Sequence, residues 1–349
     1  MQEQKVKQVE TIEAIEKASQ SIAVKNLPAV RGWCSTGCTV LDLAIADQLP
    51  GGIPIGRIVQ CYGAGSTCKS VLATTILGYA QRNGMRSFYN DVEQTLDPAF
   101  AELYGLDCSD DKTLRLICSE TLEKLFDRDI KEVIFDKKLL KTQKVMAVDS
   151  ITALPSQAEL KADMEKGTFG LTRAKQIGIG LRKYKSPLAN NNMTLFCIDQ
   201  TRDNISGYGK KEVTSGGRGL EFYSSVRIYL KNDTKIENAS GRTIGMWIKF
   251  VIEKNKVGIP FREGRFKILF SYGLDDIASN LYFLSEYQNG EKDAKLISTL
   301  IEFRGERKKL KTWIKYIEEN NWEEDLIQEV EKLWHVVYAP EDRKSRRWA

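Results

Sequence analysis

Short apolar runs alternate with amphipathic stretches through most of this chain. Arg57–Tyr62 reads as a strand and Ser70–Arg82 as a helix. Ser87–Asn90, Val145–Val148, Thr194–Ile198 and Ser225–Leu230 read as further strands, and Val145–Val148 is wholly apolar and bounded by Asp149. Met246–Ile252 and Arg265–Phe270 alternate like strands near one edge of a sheet. Continuous apolar runs suit strands buried on both faces, and strands interleaved with helices predict a mostly parallel sheet covered on both sides. The expected fold class is α/β. Ahead of this core, residues 3–19 read as a polar helix with Val9, Ile12 and Ile15 along one side, followed by a short apolar stretch at Ser21–Val24. After Tyr272 the chain turns helical and aromatic, with Trp313, Trp322 and Trp334. That predicts a small α-rich C-terminal domain over 271–349, ending in the basic tail Arg343-Lys344-Ser345-Arg346-Arg347.

Composition narrows the class only a little. The 349 residues are 42% hydrophobic and 28% charged, ordinary for a globular chain with a sizeable core. Fifty-two basic against 47 acidic residues leave a charge of +5, which permits nucleic-acid contact without requiring it. No run approaches the length of a membrane span. The first twenty residues lack the apolar centre of a signal peptide, so a cytoplasmic location (the host cytoplasm for a phage protein) is expected. Seven scattered cysteines, an odd number, predict reduced thiols, and the single histidine, His335, speaks against a zinc site.

The candidate chemistry starts at Gly63-Ala64-Gly65-Ser66-Thr67-Cys68-Lys69-Ser70, which follows a strand and opens a helix. Backbone N–H groups in such a phosphate loop converge on phosphate oxygens, and the helix dipole adds to the attraction. Lys69 is placed for the β- and γ-phosphates of ATP and Ser70 for Mg2+. Cys68 stands where a glycine is usual, and the loosened pattern arises by chance in roughly one chain in five. Support therefore has to come from elsewhere. Asp149 ends an apolar strand and is suited to hold Mg2+ through water. Glu93 follows the second strand, where a carboxylate orients an attacking water. Gln200 ends the fourth strand as a candidate γ-phosphate sensor. Singly, each has a plainer reading: a strand-end cap, a loop charge, a surface amide. A helix-like backbone with negative φ is expected at Cys68, where no glycine is needed.

Longer segments resemble the RecA recombinase family from about Ser35 to Phe270. Ser35-Thr36-Gly37, Leu41-Asp42 and Gly51-Gly52-Ile53-Pro54-Ile55-Gly56-Arg57-Ile58-Val59 resemble that family's lead-in to the phosphate loop. Asp91-Val92-Glu93-Gln94-Thr95-Leu96-Asp97-Pro98 resembles its catalytic-glutamate stretch, and Asp149–Leu154 its magnesium-side strand. Asp199-Gln200-Thr201-Arg202 resembles the sensor strand, Gly216–Arg227 a family signature, and Lys254-Asn255-Lys256 with Pro260-Phe261 the segment whose lysines reach a neighbour's ATP. The resemblance implies a RecA-type P-loop ATPase core over 35–270 and a polymerisation arm over 1–34. It assigns catalysis to Glu93, Lys69 and Gln200, adenine stacking to Phe100, and trans contacts to Lys254 and Lys256. Cys68, the short arm and the basic tail make the chain similar to a bacteriophage recombinase of the UvsX type or another divergent member.

Family members bind single-stranded DNA with two loops, which fall here at about Gln157–Phe169 and Thr201–Ser215. Glycines, basic groups and an apolar wedge suit the second loop to that task. The implied DNA contacts are Met164 or Phe169, Arg173, Lys175, Arg182, Arg202, Ile205, Lys210, Lys211, Gly216 and Gly217. The implied activity is DNA-dependent ATP hydrolysis by a helical filament that pairs single-stranded DNA with homologous duplex. Single-strand-binding and mediator proteins are the further expected partners. A weakly hydrolysing mediator on the same fold, and a hexameric motor, are the competing readings; the lysine pair and the Gly216–Arg227 signature favour the filament over the motor.

Overall fold

Strand β6, Lys144–Asp149, is buried along its whole length inside the parallel part of a large sheet. A computed structural model of the chain describes residues 30–161, 170–203, 212–289 and 300–339. The expected polymerisation arm up to residue 29, the basic tail, and Met164, Phe169, Ile205, Lys210 and Lys211 lie outside the described residues.

Two two-residue strands, β1 (Trp33–Cys34) and β2 (Ile53–Pro54), pair with each other ahead of the main sheet. The other sheet strands are β3 (Ile58–Gly63), β4 (Arg86–Asp91), β5 (Leu114–Ile117), β7 (Met193–Asp203), β8 (Glu212–Thr214), β9 (Val226–Glu237), β10 (Thr243–Asn255), β11 (Glu263–Leu269) and β12 (Gly273–Asp275). Their order is β12-β11-β10-β9-β3-β7-β6-β4-β5, with β8 pairing the far end of β7. From β5 to β9 neighbouring strands are parallel, and from β9 to β12 antiparallel. The parallel half matches the expected α/β class, and the antiparallel half follows from hairpin connections that need no crossover helix.

Residue alternation decides which face each side chain serves. Val145 and Ala147 of β6, with Phe196 and Ile198 of β7, join one apolar cluster; Met146, Val148, Leu195 and Cys197 join the other. The first cluster is covered by α1 (Thr39–Ala46), α2 (Lys69–Arg82) and α6 (Asp276–Asn289). The second is covered by the helical stretch Leu122–Lys124, Leu125–Ile130, Lys131–Phe135 and by α4 (Gly170–Asn190). The remaining helices are α3 (Pro98–Leu103), α5 (Gly217–Tyr223), α7 (Leu310–Asn320) and α8 (Glu323–Val337).

The segment after Tyr272, expected to be α-rich, also carries strands: β12 on the main sheet and a separate hairpin. Leu300–Phe303 (β13) and Glu306–Lys309 (β14) form an antiparallel hairpin. Ile301 and Phe303 are buried while Leu300 and Glu302 are exposed, a period of two that is too short to stand out against the flanking helices. Arg304 and Gly305 turn the chain with positive φ. The basic run around this hairpin is largely paired: Arg304 with Asp325, Arg307 with Glu302, and Lys308 with Glu306. Trp313, Ile317, Leu326, Val330 and Trp334 belong to the same apolar cluster as the sheet.

Candidate functional site

Four parallel strands end side by side and bring distant residues together. Gly63 of β3 lies opposite Gln200 of β7, and Asp91 of β4 opposite Asp149 of β6. Clefts outside the carboxyl ends of parallel strands are where ligands bind in open α/β sheets.

The phosphate loop leaves β3 at Gly63, where a Cβ would come within 2.2 Å of the Leu230 carbonyl oxygen, so only glycine fits. Ser66 and Cys68 both have φ of 58°, whereas Gly65 before them and Thr67 between them are not in the positive region. Alternating hands turn successive N–H groups into one concavity, the nest that anions fill. The expectation of negative φ at Cys68 is therefore wrong. The residue sits in the left-handed region, with ψ of 28°, and an L side chain there costs about 1 kcal/mol. Its thiol is half-buried against the core, and burial pushes its pKa up to about 11, so it stays neutral at ordinary pH.

Lys69 opens α2 and is buried. Its Nζ donates to the Gly63 carbonyl at 3.1 Å, the Ala64 carbonyl at 2.6 Å and the Thr67 hydroxyl at 3.1 Å. Burial lowers the Lys69 pKa, and the nearby carboxylates of Asp149, Asp199 and Glu93 work against that shift. Asp149 is buried, which raises its pKa; hydrogen bonds from Ser70 and Tyr89 oppose the rise, and the charges of Glu93 and Asp91 add to it. The Tyr89 hydroxyl donates to Asp149 Oδ2 at 2.9 Å. A hydroxyl and a partly desolvated carboxylate side by side, among further acids, are the hard oxygen donors that suit Mg2+.

Glu93 is held at the site twice. Val92 and Glu93 backbone N–H groups donate to the Asp149 carbonyl at 2.9 and 3.4 Å. The Ser150 hydroxyl then donates to Glu93 Oε1 at 2.8 Å, and Gln200 Nε2 to the same oxygen at 3.4 Å. The sequence offered no sign of Tyr89 or Ser150 in these positions. Both lie beside recognised residues, but their aim depends on the register of β4 against β6. Asp97 caps α3 by accepting from Ala99 and Phe100 N–H groups, with Pro98 in the first turn. Phe100 is 55% exposed and its ring stacks on Tyr104 at 6.4 Å, leaving one face open.

The expected DNA-side residues divide into two groups. Thr201–Asp203 extend β7 and pair with Glu212–Thr214, so the second loop leaves from the arms of a short antiparallel pair. Arg202 lies in that pair. Arg173 turns inward, donating to the Thr152 carbonyl at 2.9 Å and pairing with Glu159. Lys175 and Arg182 are exposed, seven residues apart on α4 and hence on one face. Gly216 and Gly217 open α5. A Cβ on Gly217, which has φ of 68°, would lie 2.7 Å from Ala174 Cβ, so this glycine lets α5 sit against α4. At the end of β10, Lys254 Nζ donates to the Glu221 and Phe222 carbonyls at 2.6 and 3.0 Å, and Lys256 lies 5.8 Å over the Phe222 ring.

The comparisons agree with this geometry. Residues 7–275 match the RecA N-terminal domain family. RecA of Chlamydia pneumoniae is 32% identical over 306 residues, which is 87% of this chain and 82% of that protein. RecA of Thermus thermophilus is 36% identical over 244 residues, 70% of this chain and 68% of the other. RecA of Chlamydia felis is 34% identical over 258 residues, covering 74% and 70%. With residues 7–275 matched to the family model and likeness to RecA proteins running through most of its length, the chain belongs to the RecA family.

Proposed function

We infer that this protein is an ATP-dependent DNA recombinase that forms helical filaments on single-stranded DNA, pairs that strand with homologous duplex and exchanges strands. It is a DNA-dependent ATPase that uses ATP with Mg2+. The observation that carries the reading is the hydrogen-bonded group Glu93, Ser150 and Gln200 beside Lys69 and Asp149. None of the described helices is long and apolar enough to cross a membrane, and the cytoplasm is the compartment where such a protein meets DNA.

The roles of individual residues are part of this inference. The nest from Gly63 to Ser70 receives the phosphates, and Lys69 exchanges its loop carbonyls for β- and γ-oxygens. Ser70 and Asp149 would hold Mg2+, which when bound would neutralise phosphate charge. Glu93 takes the proton of the attacking water, and Ser150 fixes the direction of its carboxylate. Gln200 leaves Glu93 for the γ-phosphate and so reports the bound state to the strand that leads into the second loop. Phe100 stacks on adenine. Lys254 and Lys256 leave their α5 contacts to complete the ATP site of a neighbouring subunit. Arg202, Lys175 and Arg182 meet DNA phosphates, together with Arg173 if its pairing to Glu159 opens, and the loop residues outside the described segments complete that surface. A head-to-tail contact of this kind does not close and builds a helix.

The test is ATP hydrolysis with and without single-stranded DNA, coupled to electron microscopy. Added DNA should raise the rate and produce helical filaments. Glu93→Gln should keep ATP binding and lose turnover by about 100-fold or more. A rate that ignores DNA would favour the weakly hydrolysing mediator, and closed hexamers would favour the ring motor.

A further inference from the structure

A polar network on the α4–α5 face of the sheet takes no direct part in the chemistry above. Arg227 of β9, Gln60 of β3 and Asp199 of β7 are all buried. Arg227 Nε donates to Gln60 Oε1 at 2.8 Å, and Gln60 Nε2 donates to Asp199 Oδ2 at 2.9 Å. The amide thus lies aligned between a cation on its oxygen side and a carboxylate on its nitrogen side. Either flip would set donor against donor and acceptor against acceptor, so its orientation is fixed. The guanidinium also rests 4.6 Å over the Tyr62 ring.

The chain of contacts closes on itself. Asp199 Oδ2 accepts the backbone N–H of Gly216 at 3.2 Å, and a Cβ at Gly216 would crowd that same oxygen at 2.8 Å. Gly216 leads into α5, and α5 carries Glu221, which pairs with Arg227 at 2.8 Å. The ring therefore runs Asp199, Gly216, α5, Glu221, Arg227, Gln60 and back to Asp199. It spans three neighbouring strands and one helix. Three elements of the proposed mechanism hang on it. Gln200 is the next residue after Asp199, and its carbonyl accepts the Ser215 N–H at 3.1 Å. Ser215 and Gly216 form the exit of the second DNA loop. Lys254 sits on the Glu221 and Phe222 carbonyls at the far end of α5.

We propose that Gln60 and Asp199 are positioning residues whose charge-aligned link makes α5 move as one piece with the end of the sensor strand. The ring thereby couples γ-phosphate contact at Gln200 both to the DNA-loop exit and to Lys254. This rests on the recombinase reading above. Its physical basis is that a buried ring of hydrogen bonds and one ion pair has few ways to rearrange, so a shift at one member is passed on rather than absorbed. Without the link, α5 would stay packed on α4 but lose its tie to the sensor strand. ATP would still bind, and its arrival would no longer order the loop exit.

The network also makes a specific demand on mutation. Gln60→Glu sets a carboxylate against the Asp199 carboxylate and breaks the link. Asp199→Asn alone can keep its oxygen toward both Gln60 Nε2 and the Gly216 N–H, so it removes only the charge. In the double exchange Arg227 still donates to the new carboxylate at position 60, and the amide at position 199 turns its nitrogen to that carboxylate, which remakes the strand-to-strand link at the cost of the Gly216 bond. The experiment measures kcat and KM for ATP at saturating single-stranded DNA in the full chain and the three variants, with thermal melts alongside. Gln60→Glu should lose about tenfold in DNA-stimulated kcat with KM within about twofold, Asp199→Asn should stay within about threefold of the parent, and the double should recover a clear part of the loss seen in Gln60→Glu. If a single variant fails to fold, the double decides: folded and stimulated supports the ring, folded and unstimulated overturns it. A parent without DNA stimulation would sink the recombinase reading and the ring with it. A stimulated parent with an equally stimulated Gln60→Glu variant, or a double no better than Gln60→Glu, would sink the ring alone.

Discussion

Cys68 shows how much one residue's backbone can hide from a sequence. The phosphate loop was legible because its signals are local: glycines, a lysine and a serine at fixed spacing between a strand and a helix. The hand of Cys68 was not, because φ is set by the loop's closure around its own N–H groups and by Gly63 abutting the Leu230 carbonyl. A prediction follows from φ of 58°. Cys68→Gly removes the strain but also the packed thiol and adds freedom to the unfolded chain, so unfolding free energy should stay within about 1 kcal/mol of the parent. Cys68→Val puts a β-branched side chain in the left-handed region and should lose about 2 kcal/mol. Urea titrations of the two variants check this, and equal stabilities would remove backbone strain from the account. Ser150 and Tyr89 escaped notice for a related reason. Both residue types are common, and only the pairing of β4 with β6 aims them at Glu93 and Asp149.

At the scale of elements, the joint between α1 and α6 carries a pH dependence. Asp42 of α1 is buried and accepts from the Ser35 hydroxyl and from Thr36 through both N–H and Oγ1, at 2.8 and 2.6 Å. Asp276 opens α6 and accepts from Thr39 N at 2.8 Å and Thr39 Oγ1 at 2.7 Å. Burial, the largest effect, raises Asp42 to about 7 and Asp276 to about 6, against the hydrogen bonds that lower them. A carboxyl raised on folding binds its proton more tightly when folded. It therefore favours the folded state below its unfolded pKa, and that advantage is lost as pH rises through the folded value. Stability should fall between pH 5 and pH 8. In Asp42→Asn that fall should be smaller by about 2 kcal/mol. Urea midpoints of parent and variant at the two pH values give the answer, and parallel pH profiles would mean that Asp42 does not titrate in this range. The strands around this joint were legible from apolar runs; the hairpin Leu300–Lys309 was not, since two buried residues do not make a readable period.

For the molecule as a whole, the attachment of the last helix turns on Arg262. Its side chain is buried, pairs with Asp47 at 2.7 Å and lies over the adjacent rings of Trp334 at 5.3 Å and Tyr338 at 5.0 Å. Trp334 also donates to Asp47 at 3.1 Å. Removing the cation leaves the Asp47 carboxylate with Trp334 as its partner and uncovers the ring pair. Arg262→Ala should therefore lose about 3 kcal/mol, and Arg262→Lys should recover only part, because an ammonium cannot lie flat over the rings as a planar guanidinium does. Hydrogen exchange should rise first in α8 and leave β3, β6 and β7 protected. Uniform loss of protection across the sheet would show that Arg262 supports the whole core rather than this attachment.

The sequence by itself determined the nucleotide chemistry, the parallel core and the family. These rest on short-range patterns: a loop motif, apolar runs ending in an acid, and segments read in order. Only the tertiary structure decided how those segments act on one another. It set Glu93 on Ser150 and Gln200, placed Cys68 in the left-handed region, turned Arg173 inward, and closed the ring through Gln60 and Asp199. The reason is physical. A hydrogen bond between residues more than a hundred positions apart depends on strand order and register, and those are fixed by the packing of the whole sheet between its two layers of helices.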